Sequence, residues 1–205
     1  YQFIQHAAAG FDPEQIIVSF SGGKDSTVTA DLAIKALSNP SLVHIFGDTT
    51  LEFPSTTEYA ERYRNFHPEA IFQVARNDDQ DFYEVCDDIG PPARMMRWCC
   101  SMFKTGPITR IINSLYGSEQ ILTFYGIRKF ESVSRSKYNR IEDSADAVKI
   151  KQQTVASPIF FWKDIDIWLY ILGENIDFNE AYRLGYDRVG CWCCPNNTPR
   201  AQALS

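Results

Sequence analysis

The sequence predicts a three-layer α/β/α sandwich around a mainly parallel sheet. Short apolar, β-branched runs alternate with segments of helical periodicity. These runs are continuously apolar rather than alternating, as strands covered on both faces are. A glycine-rich turn joins the first run to the first helix, where α/β sheets bind ligands.

Each element follows in order. Gln15 to Phe20 (QIIVSF) reads as a central strand. Val28, Leu32, Ala33, Ala36 and Leu37 recur at helical spacing and place a helix over Thr27 to Leu37. Ser41 to Phe46 is a second strand ending at Gly47-Asp48-Thr49-Thr50, Thr56 to Phe66 a helix behind Pro54, and Ala70 to Val74 a third strand. Asp81 to Cys86 opens a short helix that Gly90-Pro91-Pro92 breaks. Lys104 to Tyr116 is a helix with Pro107 in its first turn, where proline is tolerated. Gln120 to Ile127 is a further buried strand. The polar run from Lys129 to Gln153 reads as a long loop, so residues 129–157 are expected to form a lid. Order resumes at Ser157-Pro158-Ile159, and Asp164 to Leu172 forms an aromatic-rich helix. With no internal repeat and no low-complexity linker, residues 1–205 are expected to be a single domain. A start at Tyr1 and the absence of a closing element suggest a domain excised from a longer chain.

Bulk properties bound the function. A hydrophobic fraction of 44% and a charged fraction of 22% are those of an ordinary globular chain. The formal charge of -6 leaves no global basic field to recruit nucleic acid, so any phosphate must be held by local donors. No apolar run approaches the roughly 20 residues of a membrane span, and no signal peptide opens the chain, so a cytoplasmic location is expected.

Ser21-Gly22-Gly23-Lys24-Asp25-Ser26 lies between strand and helix. Gly22 and Gly23 allow positive φ and close approach to a ligand. Successive N–H groups and the helix N-terminus form an anion cradle, with Lys24 as a point charge and Ser21 and Ser26 as hydroxyl donors. The loop is neither Walker A nor a dinucleotide fingerprint.

The six cysteines fall in a telling pattern: Cys86 alone, Cys99-Cys100 adjacent, and Cys191, Cys193 and Cys194 clustered. In a chain this long without a secretion signal, that pattern reads as a metal site rather than a set of disulfides. Cys99, Cys100, Cys191 and Cys194 supply the four thiolates of a [4Fe–4S] cluster. Zinc remains an alternative on donor chemistry alone, although adjacent cysteines suit it poorly. Cys193 competes within its cluster, and Cys86 reads as a buried apolar residue.

Ser-Gly-Gly-Lys-Asp-Ser resembles the PP-loop of the Rossmann-like adenine nucleotide α-hydrolase superfamily. Cys99-Cys100-x-x-x-Lys104-x-x-Pro107-Ile108 is similar to the cysteine-pair stretch of cluster-bearing adenylylsulfate reductases, and Gly185-x5-Cys191-x-x-Cys194-Pro195 to their closing Cys-x-x-Cys. Gly126-Ile127-Arg128-x-x-Glu131-Ser132-x-x-Arg135 and Pro158-Ile159-x-x-Trp162 with Asp166-Ile167-Trp168-x-Tyr170 resemble two further family blocks. The chain is thereby identified, from Phe11 to Pro195, as similar to the phosphoadenylylsulfate (PAPS) reductase family.

The resemblance implies an adenine nucleotide at Ser21 to Ser26, with Arg128 and Arg135 gripping phosphate or sulfate oxygens bidentately. It places Asp48 near the ribose or a bound Mg²⁺, a position where Asp is equally a turn residue. Lys24, Asp25 and Arg128 are the expected catalytic residues. Lys104 and Arg97, beside the cysteine pair, supply positive charge to thiolates.

Two enzymatic readings and one non-catalytic reading follow. In the first, the loop holds ATP with Mg²⁺, attack at the α-phosphorus releases pyrophosphate, and the activated acceptor receives sulfur, as resemblance to tRNA-thiolating and DNA-phosphorothioation enzymes implies. The sulfur donor or acceptor is then a partner such as a cysteine desulfurase or a nucleic acid. In the second, the chain is an APS or PAPS reductase; such reductases tend to lack the loop lysine and carry a tail cysteine that this sequence does not show. In the third, it is a module that senses nucleotide or cluster.

Overall fold

The computed structural model describes residues 1–142 and 150–204. Six strands form one sheet in the order β3-β2-β1-β4-β6-β5. They are β1 (Ile16–Phe20), β2 (Val43–Asp48), β3 (Ile71–Arg76), β4 (Ile121–Phe124), β5 (Ile141–Glu142) and β6 (Gln153–Ala156). All pairings are parallel except β5 against β6, which is antiparallel.

Alternation along β1 builds the two apolar layers. Ile16, Val18 and Phe20 face one layer, formed with α1 (Gln2–Ala8), α2 (Lys24–Leu37), α3 (Pro54–Phe66) and α7 (Asp164–Gly173). Ile17 faces the other, against Ile45, Ala75, Ile121 and Ile112. Ile112 belongs to α6 (Gly106–Tyr116). A third cluster, Leu51, Phe82, Val85 and Phe103, brings α4 (Phe82–Ile89) against the cysteine-bearing segments. The expected three-layer architecture is therefore present, with the first strand at its centre.

Three local expectations change. The helix placed at Lys104 starts earlier: α5 (Trp98–Cys100) runs through a π-helical turn, Ser101–Thr105, into α6. The Gly106 amide reaches back to the Ser101 carbonyl, and this wider turn absorbs Pro107, which has no N–H to give. A Cβ on Gly106 would lie 2.8 Å from that carbonyl oxygen, so glycine is required there.

The segment expected as a lid, 129–157, is more structured than a loop. It contains short 3-10 turns at Lys129–Glu131 and Arg135–Lys137, then β5, then β6 beside β4. The Lys129 amide donates to the Phe160 carbonyl at 2.7 Å, and the Arg140 guanidinium stacks 3.5 Å from the Phe3 ring centroid. Residues 143–149 of that expectation lie outside the described residues. At the ends, α1 and α8 (Pro199–Leu204) are helices that the sequence reading did not anticipate.

Candidate active site and thiol centre

The loop Ser21–Gly23 leaves β1 and turns into α2 at the carboxyl edge of the sheet. Gly22 has φ +68, the left-handed conformation expected of it, and a Cβ there would lie 2.9 Å from Thr56 Cγ2. Gly23 differs from expectation. Its φ is -94, so its role is close packing: a Cβ would meet Val189 Cγ2 at 3.1 Å and the Tyr182 hydroxyl at 3.2 Å.

The loop is held by side chains from far along the chain. The Lys24 amide donates to Tyr182 Oη at 3.0 Å. Asn179 Nδ2 donates to the Gly22 carbonyl at 3.2 Å and to Thr56 Oγ1 at 2.9 Å. Ser26 Oγ accepts from the Ser21 amide at 3.1 Å and donates to the Gly23 carbonyl at 2.8 Å. The Ser26 hydroxyl thus shapes the loop from inside. Among the described residues, the first-turn amides of Asp25 and Ser26 have no backbone acceptor, which leaves them to an anion.

Beneath the loop, Lys24 and Arg128 share two carboxylates. Lys24 Nζ lies 3.1 Å from Asp164 Oδ1 and 3.5 Å from Asp25 Oδ2, with the Tyr182 ring 5.1 Å away. Arg128 pairs through Nε with Asp25 and through Nη2 with Asp164 Oδ1 at 3.1 Å. Both cations are buried, 4% and 5% exposed, so neither sits on an open surface. Two positive and two negative groups balance, Asp25 being largely buried with the two cations and Asp164 more than half exposed.

A cavity of about 360 Å³ opens beside the loop, lined on the loop side by Ser21, Gly23, Asp25 and Ser26. Its opposite wall carries Glu52, Lys104, Glu131, Arg135 and Arg188. That volume lies within the usual range for small-molecule sites. Arg135 therefore lines the cavity, where it is ion-paired with Glu131. Lys24 and Arg128 stand behind the loop, and Lys24 faces an adjoining cavity with Asp164, Tyr182 and Arg200. Asp48 lies outside the lining residues. Its Oδ1 accepts the Thr50 amide at 2.8 Å, as in a turn, and its other oxygen faces Arg76 at 3.7 Å. Glu52 takes the cavity position instead. Its carboxylate accepts from the Thr49 amide and hydroxyl, and burial raises its pKa above the usual carboxylate range.

The cysteine segments also meet. Cys99, Cys100, Cys191, Cys193 and Cys194 line a small chamber of about 40 Å³, with Thr49 and Lys104 beside them. The Trp192 amide donates to the Leu51 carbonyl at 2.8 Å, and Arg94 Nε donates to the Pro195 carbonyl at 3.0 Å. These bonds pin the Cys191–Cys194 turn across from the cysteine pair. Burial pushes the Cys99 and Cys191 thiols up to about 11, Cys99 further raised by Cys100 and Cys191 partly offset by Thr49. The all-sulfur donor set fits a thiolate-held group. Among the described residues, no three His, Cys, Asp or Glu side chains are arranged to hold one metal ion. Closing on a metal therefore asks the two segments to shift, or the group to span them as a multinuclear cluster does.

Comparison with known proteins identifies the family. The family model described as the phosphoadenosine phosphosulfate reductase domain matches residues 15–197. The chain belongs to that family. An uncharacterized protein of Methanocaldococcus jannaschii is 38% identical over 180 residues, 88% of this chain and 36% of that protein. A second from the same organism is 32% identical over 88% of this chain, which spans 41% of its length. The chain thus spans well under half of these two relatives. An adenosine 5'-phosphosulfate reductase of Oceanobacillus iheyensis is 29% identical over 87% of this chain and 70% of its own.

The fold of this PAPS reductase-family domain recurs in solved structures. The PAPS reductase of Candida auris, as a phosphate complex, aligns with a TM-score of 0.71 at 18% identity, covering 94% of this chain and 88% of that one. FMN adenylyltransferase of Candida glabrata, in complex with ATP, aligns at 0.69 and 17% identity over 93% and 59%. Among the described residues of the family domain, no helix is long and apolar enough to cross a membrane. The sequence reading had not singled out Tyr182, Asn179, Glu52, Asp164 or Arg188 as site residues. None carries a local motif; each is brought to the loop by the fold.

Proposed function

We propose that this domain binds ATP at the Ser21–Ser26 loop, cleaves it at the α-phosphate to activate an acceptor, and passes that acceptor sulfur beside a thiolate-held cluster. The observation that carries the reading is Lys104. It lines both the 360 Å³ cavity beside the loop and the chamber of thiols, so nucleotide and sulfur chemistry share one wall.

In the activation step an acceptor oxygen forms a bond to the α-phosphorus, and the bond to the bridging oxygen breaks, releasing pyrophosphate with its electron pair. A sulfur nucleophile then attacks the activated carbon and AMP departs with the acceptor's oxygen. Asp25 and Ser26 amides meet the α-phosphate at the positive end of α2. Lys24 and Arg128, fixed behind the loop, supply positive potential to the departing pyrophosphate, while Arg135 and Arg188 approach from the opposite wall. Mg²⁺ accompanies the triphosphate as substrate. Cys99, Cys100, Cys191 and Cys194 are the residues that would hold the cluster, which would supply sulfur-ligand and electron-transfer chemistry when bound. The sulfur donor or acceptor is a partner, a cysteine desulfurase or a nucleic acid.

A second reading, APS or PAPS reduction, is favoured by one observation: a relative named adenosine 5'-phosphosulfate reductase aligns over 87% of this chain. Here a thiolate attacks the sulfate sulfur, AMP or its 3'-phosphate leaves, and a second thiol releases sulfite. One experiment separates the two. Anaerobically purified protein is incubated with ATP and Mg²⁺, or with APS or PAPS and a dithiol, and pyrophosphate and sulfite are measured. Pyrophosphate from ATP that disappears with Lys24→Ala supports the first reading. Sulfite without pyrophosphate transfers the assignment to the second.

A further inference from the structure

Next to the nucleotide cavity lies a second chamber of about 340 Å³. Its floor is the sheet face carried by Ser19 of β1, Tyr125 just beyond β4, and Gln153 and Val155 of β6. Ile108, Ile127 and Ile150 make the walls mainly apolar. One of its lining residues, Gln153, carries an amide whose hydrogen bonding is incomplete. Gln153 is 1% exposed, its Oε1 lies 3.5 Å from the Tyr125 hydroxyl, and among the described residues its Nε2 has no partner. On the same face of β4, the buried Thr123 Oγ1 is also without a partner. A buried donor left unpaired is costly, so such a group in a native fold calls for an explanation.

The chamber connects with both chemical centres. Ser19, Lys104, Tyr125, Ile127 and Tyr138 line it and the nucleotide cavity alike. Cys100 and Lys104 line it and the thiol chamber alike. A molecule placed here lies between the nucleotide loop and the cysteines.

We propose that this chamber is the acceptor subsite, and that its occupant is a compact, neutral, planar ring bearing a carbonyl or ring-nitrogen acceptor. This rests on the acceptor-activating reading above. The flat strand floor and the rings of Tyr125 and Tyr138 select a planar shape; the isoleucines and Val155 select an apolar face; Gln153 Nε2 selects one hydrogen-bond acceptor. Among the described residues, the charged lining groups are Lys104 and Glu142. A nucleobase, free or splayed from a strand, has this chemistry.

The test uses uracil, hypoxanthine and nicotinamide as probes, in ligand-observed NMR with the whole chain, and AMP as the nucleotide. At least one probe is expected to bind at millimolar concentration and to stay bound when AMP is saturating. Gln153→Leu is expected to weaken that probe tenfold or more, with AMP affinity unchanged and a melting temperature equal to or above that of the parent. Val155→Trp, which fills the chamber from its floor, is expected to exclude the probes and spare AMP. The proposal is overturned if no probe binds, if AMP displaces the probe, or if Gln153→Leu binds it as well as the parent. If AMP itself fails to bind, the nucleotide reading falls, while the probe and the two variants still judge the chamber.

Discussion

Tyr182 accepts the backbone amide of Lys24 at 3.0 Å, a bond between residues 158 positions apart. It fixes the first turn of α2 from outside the helix, and burial raises the Tyr182 pKa, so the hydroxyl stays protonated at all ordinary pH. Tyr182→Phe keeps the ring against Lys24 and removes the acceptor. Stability is expected to fall by about 1 kcal/mol, and nucleotide affinity several-fold, as the loop loses its clamp. Calorimetric titration with AMP, alongside a urea melt, checks both.

Gly126 sits where a Cβ would come within 2.7 Å of the Asp25 backbone. Backbone cannot give way as a flexible side chain can. Gly126→Ala is expected to push the loop off its seat, costing about 1–3 kcal/mol and most of the nucleotide affinity. Unchanged affinity in the same titration would show that the strand β4 exit and the loop are not in register.

The charge network behind the loop makes a prediction in which a double substitution behaves differently from either single one. Arg128→Met leaves Asp25, whose side chain is 19% exposed, facing Lys24 alone, and is expected to destabilise by about 3 kcal/mol. Adding Asp25→Asn removes the surplus negative charge and is expected to recover part of that loss. Asp164 is 59% exposed, so Asp164→Asn is expected to cost less than 1 kcal/mol in the same melts.

His44 gives a pH dependence of known sign. Its ring is buried between the Leu42 carbonyl and the Tyr63 hydroxyl, and burial lowers its pKa to about 4. The folded state thus holds the proton less tightly than the unfolded chain. Stability from the neutral ring is complete above about pH 6.5 and is lost as pH falls towards 4, by about 3 kcal/mol in full. His67, packed on Tyr63, has its pKa lowered by burial and acts in the same direction. Melting temperatures measured from pH 7 to 5 are expected to fall for the parent, and His44→Gln to flatten that slope without abolishing it.

For the thiol centre, Cys99→Ser, Cys100→Ser, Cys191→Ser and Cys194→Ser are each expected to lose iron and acid-labile sulfide on anaerobic purification. Cys193→Ser is expected to retain both. Zinc in place of iron in the parent would change the assignment of the group and leave the ligands to be compared by the same series.

Where the sequence was legible, a physical signal was concentrated in few residues. Continuous β-branched runs marked β1, β2 and β4 because both faces of those strands are buried. The loop and the paired cysteines were visible because they are contiguous. Strand β6 was not, since a buried Gln153 and Thr154 make Gln153–Ala156 look like the end of a polar loop. The π-helical turn was hidden by Pro107, which marks a helix start in ordinary α geometry. Tyr182, Asn179 and Asp164 were illegible for another reason. Their partners at the loop, Gly22 and Lys24, are more than a hundred residues away, and no local pattern encodes them.

That distance divides the chain in two. The six described strands and every buried residue of the two sheet-facing clusters lie before the end of α7 at Gly173. Asn179 and Tyr182, which seat the Ser21–Gly23 loop, and Cys191 to Cys194, which line one chamber with the cysteine pair, all follow it. Loop clamp and second cysteine segment are thus supplied by one stretch, Asn179 to Cys194, that adds no strand to the described sheet. A substitution that displaces this stretch is therefore expected to disturb the Ser21–Gly23 loop and the thiol chamber together, while the described strands keep their pairing.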